Sequence, residues 1–199
     1  MRFVILIVIA LVLTGAFFYF VYRPWNLTWG ATEEEVHRRM VGDTIVKEPT
    51  FTATRAVTIQ ARPKDVWPWI VQLGQGRGGF YSYEWIENLL GFDIHNADTV
   101  IPELQELSIG DEVRVYPPEK GDPLIVQQIE PGRLLLFNYP AGSGTWAITL
   151  DPMDGGRTRL ITRNRARSKG LGARAAEVLI DPGDFIMERK DAARHQGAC

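Results

Sequence analysis

The feature that most restricts the fold is an uncharged stretch at the amino end of the chain. No charged side chain occurs between Phe3 and Tyr22, and arginines flank the stretch at Arg2 and Arg23. At about 1.5 Å per residue, a helix of this length spans roughly 30 Å, which is the thickness of the hydrocarbon core of a bilayer. The sequence therefore predicts a single-pass membrane protein with an anchor at residues 1–23.

A cleaved signal peptide is the competing interpretation of the same stretch. Residues 14–16, Thr-Gly-Ala, form a weak small-residue cleavage site, but apolar residues continue for six positions beyond it, which favours an uncleaved anchor. Arg2 competes with Arg23, Arg38 and Arg39 in setting the orientation. The side of the membrane that carries the rest of the chain therefore stays open.

Composition argues against several kinds of function. The 199-residue chain has a formal net charge of −2, which gives no reason to expect nucleic acid as a partner. Its single cysteine, Cys199, cannot form an internal disulfide. The three histidines, His37, His95 and His195, are too scattered to indicate a metal site. We therefore expect neither a metal nor another cofactor.

Residues 24–50 read as a tether and residues 51–199 as one folded domain. Hairpin turns join several alternating, β-branched segments of this domain, whereas its helical patterns stand apart from them. This arrangement predicts the α+β class, with the helices covering one face of an antiparallel sheet. The predicted elements are strands at 51–60 and around Val113 and Val115, hairpins with turns at 131–132 and 154–156, and helices from Pro63, at 82–90, at 171–180 and at 184–195.

Three glycines between the two predicted short helices have a spacing that is typical of dinucleotide-binding loops. Gly74, Gly76 and Gly79 match G-x-G-x-x-G. Such a loop needs a strand before the glycines and a helix that begins among them. The preceding segment instead contains Pro63 and Pro68, which fit poorly in a central strand. We therefore interpret the glycines as a tight connection between two helices and expect no nucleotide.

Four segments of the domain carry a resemblance to a known family. They are "RAVTIQARPKDVWPWIVQLGQGRGGFYSYEWIENLLGFDIHNAD" (55–98), "IPELQELSIGDEV" (101–113), "TWAITL" (145–150) and "DFIMERK" (184–190). These segments resemble the SRPBCC superfamily of START-like and Bet v 1-like proteins, and most closely its polyketide cyclase-like bacterial members. The resemblance implies a helix-grip fold, in which a curved antiparallel sheet wraps around a C-terminal helix and encloses an apolar cavity for lipids or other hydrophobic molecules. Such relatives have a longer basic helix than the one ending in "ERKDAARHQ".

Polar and aromatic residues crowd into positions 81–98, and we interpret this cluster as a pocket rim. Aromatic walls hold apolar ligands, and Tyr, His and Asp supply acid–base groups where a reaction needs them. The competing interpretation is that the aromatic side chains only pack on the sheet. The candidate ligand-binding residues are Trp69, Arg77, Tyr81, Tyr83, Trp85, His95 and Trp146, and the candidate acid–base residues are Tyr81, Tyr83, His95 and Asp98.

Five arginines on the last predicted strand share one face by period-two alternation. The stripe consists of Arg157, Arg159, Arg163, Arg165 and Arg167. Such a stripe fits a solvated face of the sheet, and the alternative is a surface that rests on anionic lipid beside the anchor.

The predicted function is membrane-anchored binding of a hydrophobic small molecule or lipid in an apolar cavity, without catalysis. The first alternative is a cyclase or dehydratase type of enzyme that uses the candidate acid–base residues. The second alternative is an interaction module that docks a membrane partner through the arginine stripe or an aromatic surface. No G-x-S-x-G or H-E-x-x-H pattern occurs in the sequence to indicate a known catalytic arrangement.

Overall fold

The computed structural model describes residues 2–168 and Gly170, and its centre is a six-stranded antiparallel sheet. The strand order is β1-β6-β5-β4-β3-β2. This sheet and its separate helices confirm the α+β class. The strands are β1 (Phe51–Ile59), β2 (Glu112–Val113), β3 (Leu124–Glu130), β4 (Leu134–Asn138), β5 (Gly144–Met153) and β6 (Arg157–Ala166).

Both predicted hairpins are present, and they form most of the sheet. β3 and β4 are joined at Gly132, and β5 and β6 at Gly155 and Gly156; all three glycines have positive φ. Glycine adopts this backbone conformation without steric cost, which explains why the turns are legible in the sequence. β1 pairs with β6 along its whole length, from Phe51 opposite Ala166 to Ile59 opposite Thr158, although most of the domain's sequence lies between the two strands.

The chain begins with a continuous helix, Arg2–Leu27. It consists of α1 (Arg2–Phe17), a π-helical turn (Phe18–Tyr22) and α2 (Arg23–Leu27). The helix is long and apolar enough to cross a membrane, and a helix of this kind near the amino terminus also fits a signal sequence.

One face of the sheet, here the cleft face, carries the main hydrophobic core. The helix α4 (Pro63–Val71) packs against β5 and β6 on this face. Its buried residues Val66 and Ile70 are four positions apart, so they lie on the same side of the helix. The short helix α5 (Glu84–Leu89) follows the glycine loop. The core side chains that the strands contribute here include Val57, Ile59, Val126, Leu135, Phe137, Ile148, Leu150 and Leu160.

Residues 28–50, here the strap, cover the opposite face of the sheet. The strap contains α3 (Glu33–His37), which Thr32 and Glu35 begin with a reciprocal capping box. Met40 of the strap packs into a second, smaller core with four side chains of the sheet. The sheet residues of this second core are Ala56, Leu136, Ala147 and Ile161.

The arginine stripe contacts the strap. The expectation that these arginines lie on a solvated face of the sheet is therefore wrong. Arg159 contacts Glu35, and Arg163 and Arg165 both contact Asp43. The guanidinium of Arg163 is only 4% exposed. Alternation correctly placed these arginines on one face, but it could not show that an earlier segment of the chain covers that face.

Three predicted elements differ from the structure or lie outside it. The strand around Val113 and Val115 shortens to Glu112–Val113, before Pro117 and Pro118. The predicted helices at 171–180 and 184–195 lie outside the described residues, and so does the C-terminal helix of the expected helix-grip arrangement. Short 3₁₀ turns occur at Pro102–Leu104, Pro118–Lys120 and Pro140–Gly142.

Candidate functional site

A mainly apolar cleft lies between the cleft face of the sheet and α4. Its free volume is about 460 Å³ when the open mouth is included, and about 30 Å³ of it accepts the centres of water-sized molecules. The narrow part therefore holds small groups, since about 10–15 Å³ of such space suffices for one water. The lining residues are Trp29, Arg55, Ala56, Val57, Ile70, Leu73, Trp146, Ile148, Leu160 and Thr162.

One wall of the cleft comes from the strap, directly after the N-terminal helix. The backbone N–H of Ala56 donates a 3.1 Å hydrogen bond to the carbonyl of Trp29, which ties the strap to the outer edge of β1. Gly30 follows with φ +71°, and a Cβ at this position would collide with the carbonyl oxygen of Ala56. A glycine is therefore required for Trp29 to reach the cleft.

Arg55 fixes the end of the N-terminal helix against the same strand. Its Nε donates to the carbonyl of Asn26 at 3.1 Å, and its Nη2 donates to Asn26 Oδ1 at 2.9 Å. Both residues are buried. Hydrogen bonds with a charged donor are stronger than neutral ones. The helix end and the cleft wall are consequently joined by buried polar contacts.

Trp146 is the predicted binding residue that lines the cleft. Its ring stacks on Phe137 at a centroid distance of 5.5 Å, and Phe80 lies 6.3 Å away. Its indole Nε1 is buried and has no hydrogen-bond partner within residues 2–168. Aromatic packing therefore fixes the ring while its polar atom stays unused.

The glycine loop connects two helices, as the sequence indicates. α4 precedes the glycines and α5 follows them, and Gly74 pairs with Gly79 in an isolated antiparallel bridge. A Cβ on Gly79 would lie 2.5 Å from Asn96 Oδ1. Gly79 thus allows the backbone to approach Asn96 closely. In this part of the chain a helix, and not the strand of a dinucleotide-binding loop, precedes the glycines.

Arg77, a candidate ligand-binding residue, donates its hydrogen bonds to backbone carbonyls. Nε contacts the carbonyl of Leu73 at 3.2 Å, and Nη2 contacts those of Val71 and Leu104 at 3.1 and 3.2 Å. Burial lowers the pKa of Arg77 from its usual value, and the charge of Asp111 opposes this effect. These bonds hold the end of α4 and the glycine loop together.

Tyr81 and Trp69 lie beside the cleft in the main core. Tyr81 is fully buried, and its ring meets Trp69 edge-on at 5.6 Å. The Tyr81 hydroxyl accepts a 2.6 Å hydrogen bond from Gln72 Nε2, and Gln72 Oε1 accepts one from the backbone of Ile101 at 2.9 Å. Gln72 is fully buried and was missed by sequence reasoning, because a polar side chain at a helix end is usually exposed.

Asn96 holds the loop that presents Phe80 and Tyr81. Its Oδ1 accepts hydrogen bonds from the backbone N–H groups of both residues, at 3.1 and 2.6 Å, and its Nδ2 donates to the carbonyl of Ser82 at 3.0 Å. The backbone N–H of Asn96 donates to Glu84. Tyr81 adopts φ +56°, a conformation that a non-glycine residue keeps only when its surroundings enforce it.

The other candidate residues lie outside the cleft lining. Tyr83 is half-buried at the start of α5, and Trp85 on α5 is 68% exposed. His95 is exposed and lies 3.1 Å from Asp93 Oδ1, and Asp98 is also exposed. Together with the buried Tyr81, the four candidate acid–base groups therefore do not converge on the described cleft.

A wider, polar groove lies where the strap crosses the other end of the sheet. Its free volume is about 610 Å³ when its open side is included. Two of its arginines are paired within it, Arg38 with Asp151 at 2.9 Å and Arg133 with Glu130 at 3.3 Å. Since these two arginines already have partners, they are less available to a ligand.

Comparison of the chain with known proteins finds similarity to solved structures only. No protein family and no curated protein matches the chain. A protein from Thermobifida fusca matches at 15% identity and a TM-score of 0.49, covering 74% of this chain and 94% of its own. A protein from Mesorhizobium loti matches at 18% identity and a TM-score of 0.42, covering 72% of this chain and 95% of its own.

A Polyketide_cyc-like protein from Corynebacterium glutamicum is also similar. It matches at 18% identity and a TM-score of 0.38, covering 77% of this chain and 84% of its own. Identities and TM-scores this low carry no statement about ligand or activity. Membership of the SRPBCC superfamily therefore stays a prediction from the sequence motifs.

Proposed function

We propose that this protein holds a hydrophobic small molecule or a lipid in the cleft, beside a membrane that its N-terminal helix crosses, and that it binds without catalysis. The observation that carries the proposal is the position of Trp29. This residue lines the cleft and lies two positions after the end of the helix Arg2–Leu27. An apolar ligand that leaves the bilayer next to this helix has a short path to the cleft.

The lining supports binding of an apolar molecule. Most of its side chains are aliphatic or aromatic, and burying apolar surface contributes about 25 cal/mol per Å². Arg55 is the one charged side chain in the described lining, and its guanidinium already donates to Asn26. A ligand longer than the narrow part extends through the open mouth.

Native mass spectrometry of the full chain, released from detergent micelles, tests the proposal. The wild-type protein should carry a copurified apolar molecule. Val57→Phe fills the cleft and should lose that molecule, whereas Val100→Phe places the same ring on the surface and should keep it. Thr162→Leu is a milder second change in the lining.

Indane, a small hydrocarbon, provides a second readout through the indole N–H signals of the six tryptophans. We expect indane to shift the signals of Trp29 and Trp146 and to leave that of the exposed Trp85 unchanged. Equal shifts at Trp85 and Trp146, or unchanged binding by a folded Val57→Phe protein, would contradict the proposal.

A further inference from the structure

Two polar atoms on adjacent strands of the cleft face are buried without a hydrogen-bond partner inside the described part of the chain. They are Nε1 of Trp146 and Oδ1 of Asn164. Trp146 on β5 is directly opposite Asn164 on β6. Directly opposed residues of an antiparallel pair project from the same face with their Cβ atoms about 4.5–5.5 Å apart. A donor and an acceptor therefore belong to opposed residues on one face of the sheet, and Trp146 also lines the cleft.

Packing alone does not explain why this position carries a tryptophan. The ring packs on Phe137 and Phe80, and neither of these ring contacts uses the indole N–H as a hydrogen-bond donor. A buried tryptophan N–H usually finds a partner, because leaving a buried donor unpaired is destabilising. The buried side-chain oxygen of Asn164 on the next strand likewise accepts no hydrogen bond within residues 2–168.

We propose that Trp146 and Asn164 recognise a single oxygen-bearing group on the ligand. A ligand carbonyl accepts a hydrogen bond from Trp146 Nε1, and a ligand hydroxyl also donates one to Asn164 Oδ1. The ligand class is therefore a neutral, mainly apolar molecule with a ketone or an alcohol group. This inference rests on the proposed function, and it adds the chemistry that selects the ligand.

The charge of the ligand follows from the same residues. Thr162 lines the cleft two positions before Asn164, and it is uncharged like both members of the pair. Arg55, the charged residue of the described lining, lies opposite Thr162, but its guanidinium already donates to Asn26. An ionised group beside the pair would therefore lose its hydration without gaining a counter-charge from Trp146 or Asn164, which is strongly unfavourable. The site consequently favours neutral oxygen over carboxylate or phosphate.

Three molecules of one shape, indane, 1-indanone and 1-indanol, test the inference with the full chain in detergent micelles. We expect 1-indanone and 1-indanol to move the indole proton signal of Trp146 further downfield than indane does, because only they offer an oxygen to Nε1. Trp146→Phe should weaken 1-indanone binding about 3- to 10-fold and change indane binding less than about twofold, which is the range for one neutral hydrogen bond. Trp67→Phe, the same change at a core position outside the cleft lining, is the matched control.

Asn164→Leu separates the two partners, because it should weaken 1-indanol more than 1-indanone. The inference is overturned if Trp146→Phe weakens indane and 1-indanone equally, since this result assigns Trp146 to packing only. If all three molecules bind at the cleft and shift the Trp146 signal equally, the proposed function stands and this inference alone is wrong. Failure of all three molecules to bind at the cleft removes both.

Discussion

Arg163 on β6 holds Asp43 of the strap across 120 residues of sequence, with Nη1 and Oδ2 separated by 2.9 Å. The side chains are 4% and 13% exposed. The same guanidinium also donates to the carbonyls of Glu35, Val36 and Arg38. One arginine therefore satisfies several groups of the strap at once, and the strap behaves as part of the folded domain.

Removing the Asp43 carboxylate should weaken the attachment of the strap to the sheet. Asp43→Ala leaves the buried charge of Arg163 without its carboxylate, and breaking a buried pair in this way costs about 3–5 kcal/mol. We expect a lower midpoint of thermal unfolding and faster hydrogen exchange throughout the strap. Asp154→Ala, in the exposed β5–β6 turn, is the control. Unchanged exchange in the strap of Asp43→Ala would show that the apolar contacts of Met40 suffice.

The ion pair between Glu35 and Arg159 should make the strap sensitive to acid. Hydrogen bonds from Arg159 lower the pKa of Glu35 from 4.5 to about 2, against the effect of burial, which raises it. Because the pKa is lower in the folded protein, this stabilisation is complete above about pH 4.5 and is lost as the pH falls towards 2.

Unfolding measured between pH 5 and 2 tests that expectation. Glu35→Gln should remove the part of the pH dependence that this carboxyl contributes, and Glu34→Gln, an exposed neighbour on α3, should leave it in place. The idea fails if both variants follow the wild-type pH profile.

The glycine loop offers two positions with matched backbone conformations and different surroundings. Gly79 has φ +74° and its added Cβ would collide with Asn96, whereas Gly76 has φ +70° and open space around it. An alanine at positive φ costs about 1–2 kcal/mol by itself. We expect Gly76→Ala to lose roughly that amount and Gly79→Ala roughly 2 kcal/mol more, measured by denaturant unfolding. Equal losses would argue against a steric role for Gly79.

His95 should be dispensable for stability. Its ring lies 3.1 Å from Asp93 Oδ1, and both side chains are largely exposed, at 77% and 67%. Exposed pairs contribute about 0–1 kcal/mol. We expect His95→Ala to unfold close to the wild type and to bind 1-indanone with the same affinity. A large loss of binding would return His95 to the candidate site.

The sequence predicts the parts of the fold that local chemistry determines. Pro131–Gly132 and Asp154–Gly156 mark the hairpins, and alternation places Arg159 and Arg163 on one face. The sequence also correctly predicts that the glycines join two helices, because Pro63 and Pro68 before them disfavour a strand.

Contacts between distant segments escaped prediction. No local pattern reveals that Asp43 meets Arg163, or that the backbone of Trp29 pairs with Ala56. The site was found only in part for the same reason. The residue type of Trp146 is enough to make it a candidate, whereas only the strand register, which places Asn164 opposite Trp146, points to Asn164.

The hydrogen bond from Ala56 to Trp29 also changes how the outer edge of the sheet meets other chains. β1 is an edge strand, and an uncovered edge strand can pair with another molecule and start aggregation. Residues 26–30 shield part of this edge. Deleting residues 1–30 to make the protein more soluble would therefore remove a wall of the cleft. It would also expose the edge of β1 to pairing with other molecules. A cut before Asn26 keeps both intact.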